Sequence, residues 1–282
     1  MMLGVSAATR LSTSVDFVEE FAAAAERLAV AVAWSDLRAR VPACPSWTTY
    51  DLVVHVGNVH AWAATIVETG RSAVEQNDEP AHARPRTVSA WYAAKAEDLY
   101  QVLRAADPAA PCWNFAFGAG TASFWPRRQL HETTIHHVDL EQTVGREKPV
   151  DAAVARDGVD EVLGVFLHRM HQRGHPAQLN QPLALTATDT GDTWVVAPQP
   201  RSGSTPMVPA QAVGTLAETV PSLPPSIEHR TSSGAHVADR VEARADVLYR
   251  LLWKRLAVAD ADVRIAGEEA RVRGFLASRL VP

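Results

Sequence analysis

Two short stretches of the chain contain histidine and carboxylate side chains at a spacing that could hold one metal ion. Glu132 and His136 are four residues apart within a segment whose pattern is helical. Positions four apart lie on one face of a helix, one turn apart, so both side chains can reach the same ion. His131 and His137 are expected to point elsewhere, because consecutive helical residues diverge by about 100°.

A third candidate ligand, His55, comes from an earlier predicted helix. It lies in an apolar stripe that is expected to face the core and that includes Leu52, Val56, Val59 and Ala63. A histidine that faces a core needs a partner for its ring nitrogens. His60 lies about 140° round the helix from His55 and is expected to face solvent or a loop. Spacing alone leaves two interpretations open: a metal site, or a Glu–His pair beside a structural core histidine.

Two imidazoles and one carboxylate would leave at least one coordination position of a metal ion open. That arrangement is typical of catalytic zinc sites, whereas structural sites are closed. The open position could lower the pKa of a bound water or thiol, or polarise a carbonyl group. Asp139 shares the face of Glu132 and His136 and could orient a ligand from outside the coordination sphere. A hydrolase that uses metal-bound water is a further possibility, although no additional general base is evident near the ligands.

The elements that position these side chains follow from the periodicity of apolar residues. Helices are predicted at residues 18–41, 46–69, 88–106, 124–144 and 152–173. After residue 176, short β-branched runs at 183–188 and 193–197, separated by a polar turn, predict a β-hairpin. A strand at 237–242, a helix at 245–255, a strand at 263–265 and a closing helix at 268–280 are also predicted, with a stiff linker at Pro221 to Pro225.

The predicted fold class is therefore α + α/β, with two domains. Residues 1–176 are expected to form a four-helix bundle plus one further helix, with the metal site in its core, because limited loops suit an up-down bundle. Residues 177–282 are expected to form a smaller α/β domain.

The composition excludes several classes of function. The chain has 282 residues, 47% hydrophobic and 21% charged, with a formal charge of −5, which is ordinary for a globular protein and offers no basic face for nucleic acid or an anionic membrane. Cys44 and Cys112 stand apart, so neither a disulfide framework nor a thiolate zinc site is indicated. The N-terminal stretch lacks a signal-peptide pattern, and we therefore expect a cytoplasmic protein with free thiols.

Both candidate ligand segments resemble a known family. The stretch Trp47 to Val56 resembles the second helix of the mycothiol-dependent maleylpyruvate isomerase family, within the DinB-like superfamily, and Arg127 to Leu140 resembles that family's other metal motif. Members carry a tryptophan-led helix with Asp, three apolar residues and His, followed later by Glu-x-x-x-His-x-x-Asp. The resemblance implies a DinB-like bundle in which His55, Glu132 and His136 bind one divalent metal ion, most simply zinc.

The segment 245–255 looks like the helix that closes the small α/β domain of that family. In the family this helix usually ends in a Gly-Arg pair whose arginine lies near the metal. Here Lys254 replaces the glycine and Arg255 remains. The resemblance implies a catalytic role for Arg255, which would recognise an anionic group of the substrate.

The resemblance also implies an activity and its partners. Mycothiol would be the co-substrate, and reversible addition of its thiolate would isomerise maleylpyruvate from cis to trans. The same site could instead transfer mycothiol sulfur to another electrophilic small molecule, or serve as a non-catalytic binding module. The expected partners are thus a small electrophile and a low-molecular-weight thiol, with the protein a monomer or homodimer.

Overall fold

The computed structural model describes residues 15–198, 225–230 and 237–282. Its N-terminal region is helical: α1 is Phe17–Val32, α2 is Thr49–Thr69, α3 is Pro85–Ala105 and α4 is Phe124–Gln142. A small antiparallel hairpin, β1 at Arg40–Val41 and β2 at Cys44–Thr48, lies between α1 and α2. None of the helices within the described ranges is both long enough and apolar enough to cross a lipid bilayer.

Helix α2, which carries His55, has well-defined ends. Its N-terminus is a capping box, in which the Thr48 side chain accepts from the Asp51 backbone N–H while the Asp51 side chain accepts from the Thr48 backbone. The helix ends at Gly70, whose φ of 69° is the left-handed conformation that glycine adopts without strain. The hairpin strand β2 runs directly into this cap and so fixes where α2 begins.

The second region combines a segmented helix with a five-stranded sheet. Helix α5, Ala152–Glu161, continues through a π-helical turn, Val162–Phe166, into α6, Leu167–Gln172. The sheet contains β3 to β7 in the order β5-β4-β3-β6-β7, with β3 and β6 parallel and the other pairs antiparallel. The strands and remaining helices are β3 at Leu183–Ala187, β4 at Thr193–Ala197, β5 at Ser226–Arg230, β6 at Asp239–Ala243, α7 at Ala245–Leu252, β7 at Arg264–Ala266 and α8 at Glu269–Ala277.

Two hydrophobic clusters hold the molecule together. One lies among α1 to α4, where α1 contacts α3 and α4, and α2 contacts α3 and α4. The other lies between the sheet and the helices α5 to α8. Helix α4 contributes Leu130 to the first cluster and Ile135 to the second, so its two sides join the two regions. The helix that carries Glu132 and His136 is therefore buried from both directions.

Most of the predicted elements are confirmed, and two are wrong. The predicted first helix extends to residue 41, but α1 ends at Val32, where the Ser35 hydroxyl donates to the carbonyl of Ala31 and the chain turns into the hairpin. The predicted fifth helix is interrupted by the π-helical turn. The β3–β4 hairpin is confirmed, whereas β1, β2 and β5 were not expected.

The coarse fold prediction is confirmed, with a helical N-terminal region followed by a smaller region that contains a sheet. A DinB-like four-helix bundle and a domain division at residue 176 stay predictions. The division falls between α6 and β3, although α5 packs on α7 and so contributes to the second hydrophobic cluster. Residues 221–224 of the predicted linker lie outside the described residues.

Lys254 has an unusual backbone conformation at the end of α7. Its φ is 63°, in the left-handed region, and it is the one such non-glycine residue in the described part of the chain. The backbone N–H of Arg255 donates to Arg250 and that of Lys254 donates to Leu251, the pattern of a Schellman cap. Glycine is favoured at this position because a β-carbon is strained there.

We expect Lys254→Gly to be more stable than Lys254→Ala by about 1 kcal/mol, since only glycine relieves the left-handed strain. Both variants remove the bond from Lys254 Nζ to the Leu276 carbonyl, so their difference isolates the backbone. Chemical denaturation followed by circular dichroism measures it. Equal stability of the two variants would show that this conformation carries no strain.

Candidate metal centre

Three side chains from two helices converge at the predicted site. His55 projects from α2, and Glu132 and His136 project from α4. Glu132 Oε1 lies 3.4 Å from His55 Nε2 and 3.2 Å from His136 Nε2. One ligand atom from each residue lies within 4.8 Å of the others, and within the described ranges no other such group of three or more residues is found.

These separations fit a divalent metal ion. Ligand atoms about 2.0–2.2 Å from a tetrahedral zinc lie about 3.3 Å from one another. The separations of Glu132 Oε1 from the two imidazole nitrogens, 3.4 Å and 3.2 Å, match that value closely. The imidazole rings of His55 and His136 stand nearly perpendicular, with their centroids 5.3 Å apart, so both Nε2 atoms can face one point. Two nitrogens and one oxygen are a donor set that zinc accepts.

The other nitrogen of His136 is held by a buried acid. Asp139 Oδ2 lies 2.9 Å from His136 Nδ1, and both Asp139 oxygens accept from Arg255, at 2.8 and 2.9 Å. A further Arg255 N–H donates to the Trp253 carbonyl. A metal-binding histidine usually has such a partner, which fixes its tautomer and ring orientation. Asp139 therefore leaves the Nε2 atom of His136 to face Glu132 and His55.

The local charges shift the pKa values of the ligands in opposite directions. Burial raises the pKa of Glu132, but hydrogen bonds from His136 and His55 and the Arg128 charge outweigh burial and hold it well below its ordinary value. Burial lowers the pKa of His136, but its hydrogen bonds to Asp139 and Glu132 overcome this and raise it to about 9. Without a metal ion, His136 is thus protonated at neutral pH and pairs with Glu132.

One side of the site opens into a cleft of about 510 Å³. Trp47 from β2 lies over the ligands, its ring centroid 4.8 Å from that of His55 and 6.3 Å from that of His136. His55 is the most exposed of the three ligands, at 30% of its side chain. The cleft could therefore admit a small molecule between the Trp47 ring and the side of the site that carries His55.

The remaining histidines of the two helices lie away from the cluster. His131 and His137 point elsewhere, as expected: His131 Nε2 pairs with Asp157 at 2.7 Å, and His137 lies beside Glu141. The expectation for His60 is wrong. Its ring is fully buried, with Nδ1 2.8 Å from the amide oxygen of Gln129, and burial lowers its pKa to about 4.

His60 is buried because α2 is covered on two faces. The apolar stripe around His55 identified one face, but Phe21 of α1 packs edge-on against His60 from another side, at 5.2 Å between ring centroids. Tyr92 of α3 also lies beside it, with its hydroxyl 3.3 Å from Nε2. A neutral histidine whose two ring nitrogens both have polar partners is a satisfied core residue.

Sequence reasoning missed Arg128, which contacts Glu132, and Glu161, which contacts Arg128. Arg128 Nη2 donates to Glu132 Oε2 at 2.8 Å, and Arg128 Nη1 donates to Glu161 at 2.5 Å. Arg127 and Arg128 are adjacent, and arginine as a residue type is mostly exposed. The available signal was the four-residue spacing from Arg128 to Glu132, which places them on one helix face.

The aromatic residues at and just before the start of α4 do not line the cleft: four of them pack ring against ring, and Phe117 is 54% exposed. Trp62 packs edge-on against Trp113 and Trp125, and Phe115 packs against Phe124 and Phe166. The residues around the cleft are Ser46, Trp47, Tyr50, Asp51, Val54, His55, Asn58, Glu75, Asn77 and Glu79. The contacts among the aromatic rings are ordinary packing at the end of the helices.

Comparison with known proteins finds a family match for the segment that carries these side chains. Residues 18–141 match the family described as "Mycothiol maleylpyruvate isomerase N-terminal domain". These residues belong to that domain family. The matched segment of this maleylpyruvate isomerase-type domain spans α1 to α4 almost completely and contains all three candidate ligands. No curated protein sequence matches the chain.

Two solved structures share the fold over nearly the whole chain. A crystal structure of the mycothiol-dependent maleylpyruvate isomerase is 11% identical with a TM-score of 0.56, covering 90% of this chain and 93% of that one. A histidine-to-alanine mutant of the mycothiol-dependent maleylpyruvate isomerase is 9% identical with a TM-score of 0.55, covering 88% and 91%. The likeness extends beyond the isomerase-type domain into the sheet region, and it shows a shared fold.

We expect the affinity of this site for zinc to rise about tenfold per pH unit between pH 6 and 8, because a metal ion must displace one proton from His136. The sign follows from the His136 pKa of about 9: below it the proton competes with the ion, and the competition weakens as the pH rises. Competition with a chelator of known affinity measures the dependence.

The matched control is Asp139→Asn, which removes a hydrogen bond that raises the His136 pKa. The zinc affinity of this variant is expected to change less with pH, and the change is expected to be centred at a lower pH. A zinc affinity that does not change between pH 6 and 8 would contradict the inference that His136 is protonated before the ion binds.

Proposed function

We propose that this chain is a metal-dependent enzyme that uses mycothiol as co-substrate and catalyses cis–trans isomerisation of the maleylpyruvate type. The observation that carries the proposal is the convergence of His55, Glu132 and His136 beside an open cleft. The family match and the shared fold support the choice of thiol and reaction. The proposal includes a DinB-like bundle for the helical region and a separate smaller α/β domain after residue 176.

The three ligands would hold one divalent cation, most simply zinc, whose positive charge would favour the thiolate form of a nearby thiol. Asp139 fixes the tautomer of His136 by accepting a hydrogen bond at Nδ1. Trp47 covers both imidazole rings and limits the access of water. The cleft leaves His55 reachable for a thiol that enters from solvent.

The isomerisation needs a nucleophile that adds and leaves again. The thiolate sulfur forms a bond to one carbon of the cis double bond, and the electron pair moves to the conjugated carbonyl oxygen as an enolate. The central carbon–carbon bond is then single and rotates. Return of the electron pair expels the thiolate and restores the double bond as trans, so no atom is gained or lost. Fixed donors that face the enolate oxygen would lower the barrier.

Arg255 is the candidate for recognition of the substrate anion. Its side chain already donates to both oxygens of Asp139 and to the Trp253 carbonyl. A guanidinium has five N–H groups, so others remain for a carboxylate or enolate. Arg255 would thereby connect the substrate to the acid that orients His136.

A second function, transfer of mycothiol sulfur to an uncharged electrophile, is favoured by the charge of the cleft. Among the residues that the structure describes, its lining includes Asp51, Glu75 and Glu79 and contains no lysine or arginine. Like charges repel, and this lining does not complement a dicarboxylate such as maleylpyruvate. Addition without elimination would use the same ligands and the same thiolate.

We expect zinc-loaded protein to consume maleylpyruvate only when mycothiol is present, because the thiolate is the nucleophile. The rate is measured from the decrease in absorbance of the cis substrate. The rate should fall at least about 100-fold in protein stripped by a chelator, because it lacks the cation. It should fall by at least as much in the His55→Ala variant, because that variant lacks a ligand. His137→Ala, a histidine outside the cluster, is the control and should keep full activity.

The same assay separates the two functions. Conversion of an uncharged enone or epoxide to a stable mycothiol adduct, with maleylpyruvate untouched, would favour S-transfer. Zinc-loaded protein that binds mycothiol but turns over neither substrate would contradict both the isomerase and the S-transfer function. The chain would then be a non-catalytic binding module.

We expect Arg255→Lys to reduce kcat/KM for maleylpyruvate by about 10–100-fold, the value of one charge-assisted hydrogen bond. Turnover of an uncharged electrophile should change much less, because that substrate offers no carboxylate. Steady-state kinetics with both substrates gives the comparison. Equal losses for the two would mean that Arg255 acts through Asp139 alone.

A further inference from the structure

Arg128 is a fully buried cation that bridges two acids beneath the metal centre. Its side chain is 2% exposed, and that of Glu161 is 1% exposed. Nη2 donates to Glu132 Oε2 at 2.8 Å, and Nη1 donates to Glu161 Oε2 at 2.5 Å. Burial of charges is costly unless their geometry and hydrogen bonds are good, so such a group gives little stability over an apolar replacement.

Two aromatic rings fix the guanidinium from its sides. The Phe166 ring centroid lies 4.9 Å from Arg128 Cζ, and the Trp253 ring centroid lies 5.3 Å from it. Both distances are in the range of cation–π contacts, which gain strength when desolvated. The arginine is thus held by four groups from three elements: α4 itself, the segmented helix α5–α6, and the end of α7.

The π-helical turn explains how two of those groups reach the same arginine. Glu161 and Phe166 are five residues apart. On an α-helix they would point about 140° away from each other. The Leu167 N–H donates to the carbonyl of Val162, a bond across five residues that defines the π-turn and brings positions five apart towards one face. Such turns are rare and occur often at functional sites.

The bridge determines which oxygen of Glu132 is available. Arg128 occupies Oε2, whereas Oε1 faces both imidazoles, 3.4 Å from His55 and 3.2 Å from His136. A carboxylate held in this way offers one oxygen to an ion and shares its charge with the guanidinium.

We propose that Arg128 is a positioning residue that holds Glu132 as a one-oxygen metal ligand, and that the π-helical turn supplies the contacts that keep Arg128 in place. This inference rests on the proposed function, since it assumes that an ion binds at His55, Glu132 and His136. With Arg128 removed, Glu132 Oε2 is free to swing towards the ion as a second donor.

The test loads wild-type protein, Arg128→Met, Arg128→Lys and Arg127→Met with Co²⁺ and records the visible spectrum and the dissociation constants for Co²⁺ and Zn²⁺. Arg127→Met is the matched control: it lies beside Arg128 on α4 and loses ion pairs to Asp157 and Asp160, but it does not touch Glu132. Co²⁺ with few ligands absorbs strongly, and each added ligand weakens the visible bands.

We expect Arg128→Met to weaken the visible bands and raise both dissociation constants by about 10–100-fold, the usual effect of losing a partner of a metal ligand. Arg128→Lys, which keeps the charge but cannot bridge both acids, should lie between. Arg127→Met should match wild type in spectrum and affinity. If Arg128→Met does not fold, Arg128→Lys carries the comparison.

The outcomes separate the inference from the function. Wild-type protein that binds neither ion would overturn the proposed function and this inference with it. Wild-type protein that binds, with the Arg128 variants and Arg127→Met giving the same spectrum and affinity, would overturn the inference alone. An equal change in all three variants would show that Arg128 only stabilises α4.

Discussion

The structure depends on one largely buried carboxylate, that of Glu132, whose side chain is 17% exposed. Its two oxygens face opposite ways, Oε1 towards the imidazoles of His55 and His136 and Oε2 towards Arg128. An ionised carboxylate out of water is costly unless paired and hydrogen-bonded. Each of its partners is itself buried or half-buried and must be paired in turn. The need to satisfy this one group therefore extends through both regions of the molecule.

The result is a row of alternating charges along one face of α4. Arg128, Glu132, His136 and Asp139 follow one another at spacings of four, four and three residues, which places them in line on a helix. Each contacts the next, so every cation has an acid beside it. The row does not end within α4: Glu161 closes one end and Arg255 closes the other. A polar row inside a core is stable only when complete, because a partly satisfied network leaves a charge unpaired.

This row explains what the sequence could and could not predict. Helical spacing predicts that Glu132 and His136 share a face, and the apolar stripe of α2 predicts that His55 faces the core, since each pattern depends on one helix at a time. Their role as metal ligands was implied by the family resemblance. His60 was misjudged and Arg128 was not identified, because their burial depends on Phe21, Tyr92, Glu161 and Trp253, which lie on other elements. The π-helical turn could not be predicted, because the apolar residues of 152–173 keep a spacing close to 3.6 residues through it. Helix α1 ends where the Ser35 hydroxyl donates to a backbone carbonyl and the chain turns. The spacing of apolar residues gives no signal for such an end.

The sheet region is therefore part of the site, although it supplies none of the three candidate ligands. The end of α7 places Trp253 against Arg128 and Arg255 against Asp139, and these two residues are separated by Lys254 alone. The chain must reverse within three residues to reach both ends of the row, and a left-handed residue makes that reversal. Glycine would allow it without strain, whereas here lysine adopts the conformation with a φ of 63°. The strain persists because contacts on both sides fix the backbone, so the position of Lys254 is set by the two residues that flank it.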